Sequence, residues 1–194
     1  GSVDGSRQVV ESFQSSSLHL RLLKGDGQGP AAARNAGLEI EKGKFVGFLD
    51  HDDLWPLARI ERHIGILEQH PEIWAVVGKT SYEYEGLMSD RAVSFRNGTS
   101  ALHHVHLGAT TFRAEVFRKI GFFDPSLRFS EDHEFFLRLR EANLSLYFDP
   151  AVSLRYRVHG ANMSLDKSLQ DLGVFKILGD SIRRRRYQGK IIQL

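Results

Sequence analysis

The stretch "FVGFLDHDDLWP", residues 45–56, runs from apolar residues straight into a cluster of charge. Phe45 to Leu49 read as a short strand covered on both faces, because a continuous apolar run leaves no side for water. Asp50, His51, Asp52 and Asp53 follow at its carboxyl end, where open α/β sheets bind ligands. In an extended loop residues i and i+2 project to the same side, so Asp50 and Asp52 converge while His51 and Asp53 point away. Two converging carboxylates repel unless a cation sits beside them, and oxygen ligands suit hard divalent ions such as Mg2+ or Mn2+. Asp53 stands just before a helix with Pro56 in its first turn and reads as that helix's cap. Turn and cap chemistry explains the same aspartates equally well, so on this stretch alone the two readings stand level.

Upstream, residues 6–14 read as a short helix with Val9, Val10 and Phe13 facing inward, and "LHLRLL" (18–23) alternates like a strand. "KGDGQGP" (24–30) is a glycine-rich loop, and Pro30 opens a helix that continues through "AAARNAGLEIEKG" to Gly43. Downstream, Leu57, Ile60, Ile64 and Leu67 recur at helical spacing before Pro71, and "WAVVGKTSYEYE" (74–85) is the next strand. Residues 86–107 are polar and carry histidines, too long for a plain connection and therefore a functional loop. A strand near "ATTF", helices at 114–119 and 131–141, and two strands, "LSLYF" and "VSLRYRV", come next. A last helix, 162–182, presents Leu165, Leu169, Leu172 and Phe175 on one face. Alternating strands and helices argue for an α/β fold, parallel in the first half and mixed in the second. Phe122, Phe123, Phe135 and Phe136 are assigned to the core.

The 194 residues suffice for one sizeable domain, with 41% hydrophobic and 26% charged residues. A net charge of +2 argues against nucleic acid as a partner. Arg183, Arg184, Arg185 and Arg186 form a solvated helix end, or a contact for an anionic membrane. Cysteine is absent, which removes disulfides and thiolate metal sites. No apolar run approaches the ~20 residues that span a bilayer, so the expected location is the cytoplasm.

Three segments carry a wider likeness. "GPAAARNAGLEIEKGKFVGFLDHDD" (29–53) resembles the family 2 glycosyltransferases of the GT-A type, in which an A-R-N-x-G helix precedes a strand ending in a D-x-D-D loop. "GATTFRAEVFRKIGFFDPSLRFSEDHEFFLRL" (108–139) resembles that family's acceptor-side segment, and "YRVHGANMS" (156–164) its closing histidine segment. The resemblance implies a GT-A, Rossmann-like mixed sheet flanked by helices. It divides the chain into a donor and metal-binding half (1–85), an acceptor-side half (86–160), and a C-terminal helix with a basic tail (161–194).

The implied reaction moves a sugar from a nucleotide-sugar, a UDP-sugar in the first instance, to an acceptor hydroxyl with inversion and with Mn2+ or Mg2+. The acceptor is a glycan or lipid-linked saccharide of the cell surface, reached at the cytosolic face of a membrane. Carried onto this sequence, Asp50 lies near the ribose or sugar, and Asp52 holds the metal on the diphosphate. His159 completes the metal shell, and its imidazole suits Mn2+ better than Mg2+. Asp132 matches the catalytic base, ionised at a helix N-terminus. Arg34, Asn35 and Glu131 face the substrates. Trp55 is either a platform for a sugar ring or a core residue. His103, His104 and His106 resemble a metal cluster by composition only and read as acceptor-loop or surface residues.

The family opens with two strands whose ends hold the nucleotide base, whereas this sequence begins "GSVDGSRQVVESF", similar to the continuation of the second motif. The expectation is therefore an N-terminally truncated GT-A domain with an incomplete donor site. Its 18–23 strand would lack a neighbour, and its exposed sheet edges would invite self-association. Two rivals remain: a metal-dependent phosphohydrolase built on Asp50–Asp53, and a non-catalytic nucleotide-sugar-binding module.

Overall fold

The computed structural model describes residues 5–13, 19–25, 27–84, 101–163 and 167–187. Its elements are α1 (Ser6–Ser12), α2 (Pro30–Ile40), β1 (Phe45–Gly47), α3 (Arg59–Gln69) and β2 (Ile73–Tyr84). These are followed by β3 (Ala101–Leu102), a 3-10 turn (Leu107–Ala109), β4 (Thr110–Arg113), α4 (Glu115–Ile120), α5 (Glu131–Glu141), β5 (Ser145–Val158) and α6 (Val174–Tyr187).

The sheet is mixed and centred on β2, which pairs antiparallel with β3 and β4 and parallel with β5, while β1 lies antiparallel on the far side of β4. Parallel pairing is thus confined to β2 and β5, and the first half of the chain contributes no parallel pair of its own among the described residues. The core is a phenylalanine cluster. Phe135 on α5 lies 4.8 Å from Phe123 and 5.1 Å from Phe117, ring centre to ring centre, and Phe112 of β4 packs edge-on at 5.7 Å. Phe136 is buried with them, whereas Phe122 is exposed, because only Phe123 of that turn points toward α5.

Local chemistry explains the boundaries that matter for the site. Gly29 adopts φ +97°, open to glycine alone, and Pro30 begins α2 with its ring at a position that needs no N–H. Acidic Glu131, Asp132 and Glu134 open α5, and Arg138 and Arg140 close it, both complementing the helix dipole. Asn143 turns the chain with φ +53° before β5.

Several expectations fail for physical reasons. Residues 19–25 lie outside the sheet with Leu20, Leu22 and Leu23 exposed, since no described strand supplies their hydrogen bonds. Val9 and Phe13 are exposed on α1. In α3 the inward residues are Arg59, His63 and Leu67, while Leu57 and Ile60 face water. "LSLYF" and "VSLRYRV" form one strand, because a bulge at Asp149–Ala151 accommodates Pro150 within β5 and shifts its register against β2. The last helix starts only at Val174 and buries Ile177 and Ser181, with Leu169 and Phe175 exposed; Leu165 lies outside the described residues. Residues 86–100 of the histidine-bearing loop and residues 188–194 of the basic tail are also outside them.

Candidate active site

Asp50, at the end of β1, accepts from the Arg34 guanidinium of α2 at 2.9 Å. The other arm of Arg34 bonds Glu131, the first residue of α5. One side chain therefore ties the 50–53 loop to the α5 N-terminus across 97 residues of sequence. The loop closes on itself through the Asp53 N–H donating to the Asp50 carbonyl at 3.1 Å. Beside it a cavity of about 260 Å³ opens between the α2 N-terminus and the loop, lined by Pro30, Ala33, Arg34, Phe48, Asp50 and His51 among others.

Asp52 points to the end of β5. Its Oδ2 lies 3.2 Å from His159 Nε2, and the Arg157 guanidinium bonds the Asp52 carbonyl. Asp53 does not cap a helix. It is buried, its Oδ1 accepts from the Arg157 N–H at 3.1 Å, and its Oδ2 has no hydrogen-bond partner among the described residues. Burial pushes Asp53 up to about 6; the Arg157 N–H opposes this, and neighbouring Asp52 and Asp50 reinforce it. The two aspartates thus fasten the loop to β5, helped by an isolated bridge between Leu54 and Arg155.

Asp132 occupies the second position of α5. Its Oδ1 accepts from the His133 N–H at 2.7 Å and from His133 Nδ1 at 2.8 Å. Burial works against its charge, but these bonds and the His133 ring hold Asp132 below the usual carboxylate range, so it is ionised at neutral pH. The bond to Asp132 in turn raises His133. Glu131 moves the other way: burial and the adjacent Asp132 raise it, and Arg34 pulls it back. The residue before them, Ser130, adopts φ +60° without capping the helix. A non-glycine residue held in the left-handed region costs of the order of 1 kcal/mol and is typical of sites that must aim side chains.

His106 joins the two halves electrostatically. Burial lowers its basicity, and it feels the charges of both Asp132 and Asp50. Arg34, bonded to both Asp50 and Glu131, brings the 50–53 loop to the N-terminus of α5, where Asp132 is the second residue.

The remaining expected residues hold other posts. Asn35 is turned from the cavity to α4's following turn, where its amide donates to the Phe123 carbonyl at 2.9 Å and accepts the Phe123 N–H at 3.0 Å. Trp55 donates Nε1–H to the Gly108 carbonyl at 2.8 Å, and the Arg59 guanidinium stacks on its ring at 3.9 Å, so one face is already covered. Hydropathy gave no signal for Arg59 or His133. For His133 the one available cue was position, since it follows the E-D motif directly; Arg59 lies six residues beyond the D-x-D-D loop and carried no such cue.

Asp52 and His159 stand close enough to serve as neighbouring ligands of one divalent ion. Two ligands bound side by side at ~2.1 Å in octahedral geometry stand about 3.0 Å apart, close to the observed 3.2 Å. Asp52 fits that role. His159 fits conditionally: its Nδ1 accepts from the Ala161 N–H at 3.2 Å, which leaves the ring proton on Nε2, aimed at Asp52. Ligation through Nε2 moves that proton to Nδ1 and displaces the Ala161 contact. Among the described residues no group of three or more His, Asp or Glu is arranged to hold an ion.

A second cluster imitates a hydrolase. Ser153 Oγ lies 2.8 Å from His63 Nε2, and Asp149 stands 3.7 Å from the same nitrogen. In a nucleophilic triad the acid sits on the opposite nitrogen, and here that one faces Thr111 Oγ1 at 3.0 Å. All three groups are sealed from solvent, so the cluster is a structural network.

Comparison with known proteins agrees with this architecture. The family model described as "Glycosyl transferase family 2" matches residues 1–130, ending two residues short of Asp132. Minor teichoic acid biosynthesis protein GgaA of Bacillus subtilis is 32% identical over 152 residues, covering 72% of this chain and 34% of that protein. WfaP of Escherichia coli, named as a UDP-Glc:alpha-D-GlcNAc-diphosphoundecaprenol beta-1,3-glucosyltransferase, is 23% identical over 81% of this chain and 64% of its own length. The structure of S. aureus TarS residues 1–349 with UDP-GlcNAc superposes with a TM-score of 0.68 at 15% identity, covering 93% of this chain and 55% of that one. The chain thus spans about a third to two thirds of these proteins. Since the family model matches well over half of its residues, the chain belongs to glycosyl transferase family 2.

Proposed function

We propose that this chain transfers a sugar from a UDP-sugar to a hydroxyl of a cell-surface glycan or lipid-linked saccharide, with inversion and with the help of a divalent metal. The observation that carries the proposal is the double engagement of Arg34, which holds Asp50 and Glu131 in one grip and so sets the aspartate loop beside Asp132. WfaP is named for UDP-Glc, TarS forms a complex with UDP-GlcNAc, and teichoic acid biosynthesis is the process named for GgaA.

The donor diphosphate lies between the α2 N-terminus and the Asp50–Asp52 loop, where backbone N–H groups favour an anion. Asp52, with His159 beside it, would hold Mn2+ or Mg2+, which when bound would supply positive charge for the departing nucleoside diphosphate. Asp132 is the base. Its Oδ1 is occupied by His133, so Oδ2 receives the proton of the attacking hydroxyl. The hydroxyl oxygen bonds to the anomeric carbon as that carbon's bond to the phosphate oxygen breaks, and the electron pair leaves on the diphosphate. A single displacement with the base opposite the leaving group inverts the centre. Arg34 orients Asp50 and opposes the burial and the Asp132 charge that raise Glu131. No helix among the described residues is long and apolar enough to cross a membrane.

The test is calorimetric titration of UDP with and without Mn2+, paired with a transfer assay over a panel of UDP-sugars. Asp52→Ala is expected to abolish metal-dependent UDP binding. Asp132→Asn is expected to retain it and lose transfer by at least ~100-fold, the usual contribution of a general base. Transfer by Asp132→Asn at the parent rate refutes the assignment. Hydrolysis of simple phosphomonoesters favours the phosphohydrolase instead, and binding without transfer in the parent protein favours the binding module.

A further inference from the structure

A second aromatic group leaves the site along the sheet, and it differs in kind from the phenylalanine core. The parallel register sets Tyr82 of β2 opposite Tyr156 of β5, with ring centres 5.5 Å apart. Tyr84, two residues on and on the same side of β2, stacks with Tyr82 at 6.5 Å. His104 lies over Tyr82 at 5.8 Å, with Nε2 2.9 Å from the phenol oxygen. His106 packs edge-on against Tyr156 at 5.4 Å and His104 at 5.6 Å.

Each of these rings is half-buried, whereas Phe112, Phe123 and Phe135 are sealed. Every ring in the group also carries a polar atom at its rim. A hydrophobic core has no use for such rims, but a pyranose does: its C–H face packs on aromatic rings while its equatorial hydroxyls need donors and acceptors at the edge. The metal alternative for these histidines is weak, because His104 Nε2 is engaged by Tyr82 and His106 Nδ1 accepts the Gly108 N–H at 3.1 Å. His103 lies apart from the row, against Phe148 and the Asp149 carbonyl. The row has a direction, since His106 Nδ1 accepts the Gly108 N–H and the Gly108 carbonyl accepts from Trp55, two residues beyond Asp53.

We propose that Tyr82, Tyr84, His104, His106 and Tyr156 form a saccharide shelf that binds consecutive pyranose rings of the acceptor and leads its terminal hydroxyl toward Asp132. The direction of that lead rests on the transferase reading; saccharide binding by the shelf does not. The acceptor class is accordingly an oligosaccharide that presents ring faces, rather than a bare polyol phosphate or a lipid.

Saturation-transfer NMR with cellotriose, chitotriose and maltotriose, in the absence of nucleotide, tests the shelf directly. At least one trisaccharide is expected to receive magnetisation from the parent protein. Its affinity is expected to fall about tenfold in Tyr82→Ala/Tyr84→Ala, the loss of two stacking contacts. Tyr187→Ala, at an exposed tyrosine on α6, should leave binding unchanged. Should the double variant fail to fold, Tyr84→Ala alone removes the last ring of β2 and is expected to weaken binding about threefold. No binding by any trisaccharide, or parent-like binding by the tyrosine variants, overturns the shelf. UDP titrations on the same samples separate the two proposals. Intact Mn2+-dependent UDP binding without saccharide binding sinks the shelf alone, and the converse leaves the shelf standing while the transferase reading falls.

Discussion

Replacing Arg34 with methionine keeps most of the side chain's volume on α2 and deletes the cation between two carboxylates. The two losses are unequal. Asp50 has 48% of its side chain exposed and is rehydrated at little cost. Glu131 has only 8% exposed, sits beside Asp132, and is left as an uncompensated buried charge. Removing one partner of a buried pair costs about 3–5 kcal/mol. The lower figure, about 3 kcal/mol, applies here because Glu131 can escape part of the penalty by taking a proton. For a domain of this size that is a fall in Tm of roughly 6–12 °C at pH 7.5. The sign of the pH dependence follows. Without Arg34, burial and Asp132 raise Glu131 further above its unfolded value, so the folded variant binds a proton that the unfolded chain has released, and its deficit grows as pH rises. The gap between parent and variant should therefore narrow from pH 7.5 to pH 5, and Arg34→Met/Glu131→Gln should recover more than half of the loss at pH 7.5. Urea denaturation and thermal melts at both pH values measure this. A deficit below about 1 kcal/mol at pH 7.5, or one that the double variant does not relieve, refutes the view of Arg34 as the tie between the halves.

Two further predictions concern the scaffold. Burial lowers His63 to about 4, so between pH 6.5 and 4 the unfolded chain carries a proton that the folded chain refuses. Stability should decline by up to about 3 kcal/mol as pH falls through that window and level off below it; urea denaturation of His63→Gln should lack this component, and an unchanged slope counts against it. A methyl group at Gly78 would stand 1.9 Å from Ser153 Oγ and 2.3 Å from its Cβ. Gly78→Ala should therefore cost at least ~3 kcal/mol, the upper end for overpacking, with partial recovery in Gly78→Ala/Ser153→Gly measured by the same denaturation.

The sequence was most legible where chain-local chemistry decides structure. Pro30 after Gly29, the acidic start of α5 and the apolar run of β2 each produced the element expected of them. It was least legible where burial follows from a partner supplied by distant chain. Leu57 and Ile60 look like the inner face of α3, yet the inner face holds Arg59, bonded to the Thr110 carbonyl, and His63, bonded between Thr111 and Ser153. Hydropathy ranks those two residues as surface, because it cannot see the acceptors on β4 and β5 that make their burial affordable. Pro150 likewise argues against a strand until the bulge at Asp149 is known. In the candidate site, the D-x-D-D and E-D motifs point to Asp50, Asp52 and Asp132, the residues on which the proposed function rests. The task of Asn35, which locks α2 to Phe123, and that of Asp53, which locks the loop to Arg157, came from contacts 88 and 104 residues away in sequence.

Those separations bear on how the protein is made. The Asp52–His159 contact closes 107 residues of chain and the Arg34–Glu131 contact closes 97. Bringing such distant segments together is entropically expensive and slow, and nothing local rewards it in advance. A nascent chain still waiting for β5 on the ribosome therefore has its D-x-D-D loop but no partner for Asp52. Competence for ligand should arise late and abruptly during synthesis, so that prematurely terminated chains stay inert.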